Sequence, residues 1–270
     1  MFGLFKKKTV ATKWKVIASG AFGASLVVNG LAGSTTPLGG VDTAAVSDKY
    51  ANLFAPAGFT FVIWAAIYLA LIVFLLYIWN IWKIKKPHLK PQDAESILKY
   101  FTVISLLNIA WLFAWQYQFL GLSVLIMAAL AVTLLLLHKK TASLKLNRQE
   151  DYAVKMPFSL YAGWITVAAI ANVTTWLVSM GWHGGGIPES GWTVIMLVVG
   201  AVVGLTTALK RMDWVYLAVF IWAYIGIAYK HLTVFNGEYL SVLLTLGILL
   251  SVLSVFTVLM LTLPSRYLKS

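Results

Sequence analysis

Asn108 and Asn172 sit in the middle of apolar segments of this 270-residue chain, each flanked by aromatic residues at helical spacing. One segment reads Asn108-Ile109-Ala110-Trp111, followed by Trp115. Another carries Tyr161, Trp164, Ala168, Asn172, Thr175 and Trp176. From Tyr161 to Thr175 the steps are 3, 4, 4 and 3, which puts these side chains on one stripe of a helix. An amide in an apolar surround must find a hydrogen-bond partner, so both Asn residues are expected to point inward. For either Asn alone, a bond to a neighbouring helix worth about 0.6–2 kcal/mol accounts for it. The combined stripe favours a pocket. Indole and phenol rings make flat apolar walls, and a few amides can orient the polar edge of a flat ligand.

Other chemistries are poorly served. There is no cysteine, which excludes disulfides, thiol catalysis and Cys-based metal sites. His88, His138, His183 and His231 share no ligand spacing, and each is expected at the surface. His183 stands beside Gly184–Gly186 and is the one histidine placed to act as an axial or hydrogen-bonding group for an external ligand. All nine acids fall in loops or at span ends, so proton relays, charged gating and carboxylate-pair catalysis inside the chain's apolar parts are disfavoured. The residues therefore favour binding over catalysis.

Eight apolar stretches hold these residues: Trp14–Ala32, Phe59–Trp82, Tyr100–Tyr117, Phe119–Leu137, Pro157–Trp182, Trp192–Leu209, Trp214–Tyr229 and Tyr239–Leu263. Most approach the roughly 20 residues that cross a bilayer core. Hydrophobic residues are 60% of the chain and charged ones 11%, too few to cover a soluble surface. The fold class expected is an all-α, polytopic membrane bundle of about eight helices. Threading the stretches alternately puts 19 of the 21 Lys and Arg residues on the N-terminal side and leaves only Lys49 and Lys230 opposite. The positive-inside bias then places both termini in the cytoplasm. The net charge of +12 is explained by this segregation beside anionic lipid, so no nucleic-acid partner is expected. A basic start before the first stretch, with no A-x-A cleavage pattern after it, reads as a retained helix. The small size and Lys-rich tail suggest a bacterial plasma membrane.

Between the first two stretches lies a long external loop, about residues 33–58, with Pro37, Gly39, Gly40 and Asp42 in its polar half. Its second half, Asn52-Leu53-Phe54-Ala55-Pro56-Ala57-Gly58, is apolar and is expected to fold back on the bundle as a lid. Pro157 is expected to begin the fifth helix. The seventh, at about 16 residues, is expected to cross nearly upright or with local thinning of the bilayer. Gly200 and Gly204 form a G-x-x-x-G packing signal. Trp14, Trp82, Trp182, Trp192 and Trp214 stand at span ends, as interfacial residues do.

The order of the motifs resembles the tryptophan-rich sensory protein family, also called the TspO, translocator or peripheral benzodiazepine receptor family. Pro56 to Trp64 and Tyr68 resembles its P-x7-W-x3-Y. Asn108-x-x-Trp111 resembles its N-x-x-W, and Tyr161-x-x-Trp164-x7-Asn172-x3-Trp176 its Y-x-x-W-x7-N-x3-W. The resemblance covers about residues 10–182, and three further spans follow at about 192–263. Val62 stands where the family has a proline, and Pro157 is displaced by three residues. The chain reads as a divergent, extended relative. The resemblance implies a five-helix core with a ligand pocket formed by Trp64, Tyr68, Asn108, Trp111, Tyr161, Trp164, Asn172 and Trp176. It implies a lid at Phe54, Pro56 and Gly58. Ligands of the family are planar and apolar: porphyrins or haem-like tetrapyrroles, sterols and synthetic drugs.

The function expected is therefore a membrane receptor or carrier for a small planar hydrophobic ligand, with no cofactor required and no metal site. An enzyme acting on such a ligand, or a non-catalytic assembly subunit in which the stripe is only packing, are the alternatives. Membrane lipid is one partner, and a homodimer or a membrane partner is another.

Overall fold

The computed structural model describes residues 10–33 and 38–262. Lys6, Lys7, Lys8, Pro37, Arg266 and Lys269 lie outside the described residues. Among the described residues, eight helices are long and apolar enough to cross a membrane, and no strand is present. The elements are α1 (Thr12–Gly33), the short α2 (Thr43–Lys49), α3 (Ile63–Ile78), α4 (Pro91–Gln116), α5 (Leu120–Ala142), the single turn α6 (Arg148–Glu150), α7 (Met156–Ser179), α8 (Glu189–Arg211), α9 (Trp214–Thr233) and α10 (Leu240–Thr262). A 3-10 turn, Gly58–Val62, leads into α3. The chain is thus a multi-pass helical membrane protein. Its exposed surface carries large apolar side chains such as Leu69, Leu125 and Ile248, as a lipid-facing surface does.

One helix start and one helix end differ from the sequence expectation. The fifth span begins at Arg148, not at Pro157, because Asn147 and Glu150 form a reciprocal capping box there. The helical path then passes through a π-turn, Asp151–Lys155, before Met156–Ser179. Proline lacks an N–H and its ring crowds the carbonyl four residues earlier; the wider turn just before Pro157 accommodates both. The seventh span, α9, begins at Trp214 as expected, behind the Asp213 cap, but has 20 residues because Lys230 and His231 continue its far end to Thr233. At 1.5 Å per residue this is about 30 Å, just the thickness of a bilayer core. The first external loop also contains α2, capped by Asp42, which accepts from the Ala45 amide at 2.8 Å. Its periodicity was too short to read from sequence.

Helices α1, α4, α5 and α7 pack as successive neighbours, α3 lies against α7, and α9 packs on the other flank of α7. Helices α8 and α10 close around α9. The G-x-x-x-G pair works here: the Tyr224 hydroxyl lies over Gly200 and the Phe220 ring over Gly204. A Cβ at Gly200 would stand 2.8 Å from that hydroxyl. Close approach of this kind is what drives helix association in lipid, where burial alone does not.

The ends of the bundle are held by polar bonds that group the loops as the charge pattern implies. At the basic end, Glu95 accepts from the Ala11 amide (2.9 Å) and Lys140 pairs with Asp93 (3.1 Å). There too Glu150, wholly buried, accepts from the Tyr77 hydroxyl and the His88 and Leu89 amides at 2.7–2.9 Å. His138 is a correction: it is 1% exposed, not on the surface. Its Nε2 lies 2.5 Å from Asp213, while Arg211 donates to its Nδ1 at 2.5 Å. Arginine has only donors, so Nδ1 accepts and the ring proton sits on Nε2, facing the carboxylate. His231 is likewise buried, whereas His88 and His183 are exposed. At the opposite end Lys230 pairs with Asp48 at 2.7 Å.

Candidate functional site

Trp64, in the first turn of α3, is the centre of an aromatic array. It stacks on Tyr68 (5.6 Å, 25°) and on Trp111 of α4 (6.3 Å, 29°). It meets Tyr161 and Trp164 of α7 edge-on, at 5.7 and 6.3 Å. Trp115 continues the stack beyond Trp111 (5.6 Å, 24°), and Phe61 meets Trp164 edge-on. Stacked and T-shaped pairs at these distances satisfy the ring quadrupoles and add to the packing. The structure thus brings together Trp64, Tyr68, Trp111, Tyr161 and Trp164 from three helices. Trp176 stands apart from the array, with its indole over Gly121 at the start of α5.

Both amides point inward, Asn108 at 1% and Asn172 at 2% exposure. They serve different neighbours. Asn172 accepts from the Trp111 indole (2.9 Å) and donates to Ser123 of α5 (2.8 Å), so it fixes the ring that Trp64 stacks on. Asn108 accepts from Ser25 (2.9 Å) and Asn29 (2.8 Å) of α1. Two buried polar atoms in this region have no hydrogen-bond partner among the described residues: Trp164 Nε1 and Thr175 Oγ1. Buried polar atoms are rarely left so. Trp164 and Thr175 border a cavity of about 30 Å³, lined also by Trp64, Trp111, Trp115 and Asn172. That leaves room for water but not for a small-molecule ligand. The array is closed on itself in this conformation.

The segment over the array is tightly held. Phe54 is 1% exposed and Pro56 is buried, with Pro56 on the small cavity; Gly58 is exposed and opens the 3-10 turn. Asn52 accepts from the Phe54 and Ala55 amides, which folds the segment on itself. Helices α8 and α9 grip it. Glu189 accepts from the Leu53 amide (2.8 Å), His231 Nε2 donates to the Leu53 carbonyl (2.9 Å), and Gly226 accepts from the Ala57 amide (3.1 Å). Gly226 is needed at this crossing, since a Cβ there would stand 2.0 Å from Thr60 Oγ1 and within 3.0 Å of that side chain's carbons. His183 lies outside the array. No group of three His, Asp or Glu residues suited to a metal forms among the described residues.

Sequence reasoning missed Asn29, Ser25, Phe61 and Ser123. Asn29 carried a readable signal, an amide inside the first span that needs a partner. The serines carried none, because a serine in a span is satisfied by its own helix carbonyl as readily as by a neighbour.

Fold and site define a multi-pass helical membrane protein whose core is an amide-braced aromatic array. A model of the TSPO-like protein family matches residues 15–260, and the chain belongs to that family. The match takes in α8, α9 and α10 as well as the helices that carry the three motifs. No curated protein and no solved structure matches the chain. Membership places the chain among membrane proteins of receptor or transporter type.

Proposed function

We propose that the protein is a membrane receptor or carrier that takes a planar apolar ligand into the aromatic array, with tetrapyrroles the first candidates. The observation that carries this reading is the pair of unpartnered buried atoms, Trp164 Nε1 and Thr175 Oγ1, on a cavity walled by indole rings. Rings can stack on a flat molecule and the polar atoms can bond its edge. A cavity of 30 Å³ admits no such ligand, so entry requires the Phe54–Gly58 segment and Trp64 to part. The bonds from Glu189, His231 and Gly226 set the cost of that opening. In a titration of the purified protein with protoporphyrin, Trp164→Ala and Asn172→Ala should each weaken binding by more than about 1 kcal/mol. Trp82→Ala, at the basic end, should leave affinity unchanged. Folding is checked by the unfolding midpoint of each variant. Equal losses at all three positions, or no saturable binding by any planar ligand tried, would leave the array as packing only.

We further propose a bacterial plasma membrane location with both termini cytoplasmic. The support is the 19-to-2 segregation of basic residues. In intact cells, cysteines placed at Ala45 and Ser190 should react with an impermeant thiol reagent, and a cysteine at Ser143 should be protected until the membrane is opened. The reverse pattern would overturn the orientation.

A further inference from the structure

Helix α7 has a second occupied face. Ala168, Ala171, Asn172 and Thr175 line the small aromatic cavity, whereas Ala169, Ile170, Val173, Thr174, Leu177 and Val178 line a different one of about 780 Å³. No residue borders both. The larger cavity exists because α8 packs chiefly on α9 and α10 and only lightly on α7. The two helices close where the Ile170 side chain reaches Gly200, and they splay from there toward the lid end. Its volume lies inside the range of small-molecule sites, about 300–1,000 Å³. Its walls are almost wholly apolar, and Val173 and Trp182 are exposed at its rim.

The polar groups gather at one end. Among the described residues Glu189 is the only carboxylate on the cavity and no Lys or Arg lines it, though the exposed His183 does. The nearby Lys230 is already paired with Asp48. Two indoles line the same cavity: Trp192, one helical turn after Glu189 on α8, meets Trp182 at 5.4 Å and donates to the Gly184 carbonyl at 2.8 Å. Gly184 has a left-handed φ of +79°, and a Cβ there would press on the Trp192 ring at 3.1 Å, so the glycine run sets this indole in place. A carboxylate beside two indoles is an arrangement that attracts a cation, by charge and by the ring quadrupole.

We propose that the α7–α8 cavity is a second binding site, separate from the aromatic array, for an amphiphile with an apolar body and an ammonium end. The apolar body lies along Ile170, Val173, Leu177 and Met196, and the ammonium end sits between Glu189 and Trp182. Phe54 borders this cavity while Pro56, two residues on, borders the other, so the lid segment touches both sites. The proposal does not depend on a ligand binding in the array.

The test uses the full chain in nanodiscs of a glucosyl diacylglycerol, a lipid with no ammonium group, and three photoreactive probes with the same diazirine-bearing dodecyl chain. Their ends are trimethylammonium, hydroxyl and carboxylate. The ammonium probe should cross-link to the Val173–Val178 and Thr193–Met196 segments, and excess dodecyltrimethylammonium should abolish the labelling. It should exceed the carboxylate probe by roughly fivefold or more, the scale of one cation–ring or ion-pair contact. Glu189→Gln keeps an oxygen for the Leu53 amide but removes the charge, and should erase the headgroup preference. Val173→Trp should fill the cavity and remove the labelling. Met196→Phe is the second filling variant if Val173→Trp does not yield folded protein. Equal labelling by all three probes, or labelling that no competitor displaces, would show a groove filled by bulk lipid and overturn the proposal. Cross-links confined to Trp64 or Trp164 would overturn it as well.

Discussion

Glu150→Ala should lower the unfolding midpoint of the detergent-solubilised protein by on the order of 10 °C, from a loss of about 3 kcal/mol or more. The carboxylate is 0% exposed and sits among donors. Oε1 accepts from the Tyr77 hydroxyl at 2.7 Å, the Leu89 amide at 2.8 Å and the His88 amide at 2.9 Å. Oε2 accepts from the Asn147 amide at 3.1 Å, closing the capping box. Truncation takes the shared acceptor from all of these donors at once, and an unmet donor costs more than a net hydrogen bond gains. The bonds also span elements, since they tie the α3–α4 loop and the end of α3 to the start of the fifth span. Glu150→Gln should fall between wild type and Ala, because its amide keeps one acceptor but turns N–H groups toward the remaining donors. A midpoint for Glu150→Ala within a degree or two of wild type would show that this junction adds nothing to stability.

Asp213 should give the bundle a stability that depends on pH. It lies in the turn between α8 and α9, where Met212 takes a left-handed φ of 53°. Its Oδ1 accepts from the Tyr216 amide (3.0 Å) and caps α9. Its Oδ2 accepts from His138 of α5 and Ser159 of α7 (2.6 Å). Burial pushes its pKa up, but the bonds from His138, Ser159 and the Tyr216 amide outweigh that and hold it below the ordinary Asp value. A carboxylate whose folded pKa is depressed stabilises the fold above its unfolded pKa and loses that contribution as pH falls through the folded one. The wild-type midpoint should therefore fall more steeply below about pH 4 than that of Asp213→Asn. At neutral pH, Asp213→Ala should cost about 3 kcal/mol, because His138 and Ser159 are left buried without their acceptor. Parallel profiles for wild type and Asp213→Asn between about pH 3 and pH 7 would refute the assignment.

Sequence alone determined the number and class of the spans, because bilayer thickness fixes span length and each span reports its own hydropathy. It also determined the helical register of the stripe, since steps of 3 and 4 residues place Trp164 and Asn172 on one face whatever packs there. It foresaw that Asn108 and Asn172 turn inward, because lipid offers an amide no partner. What it could not supply were the partners. Asn172 holds Trp111 and Ser123, while Asn108 turns to Ser25 and Asn29 of α1, and nothing in either local sequence distinguishes these choices. His138 looked like a surface residue until the turn 75 positions later brought Asp213 and Arg211 to its two ring nitrogens. The closed array and the open α7–α8 cavity were likewise settled by tertiary structure. How much space remains between helices depends on the volumes of side chains from distant segments and on where Gly200 and Gly226 allow backbones to meet. Local periodicity records which face of a helix is buried, but only the packed bundle decides against what, and with how much room to spare.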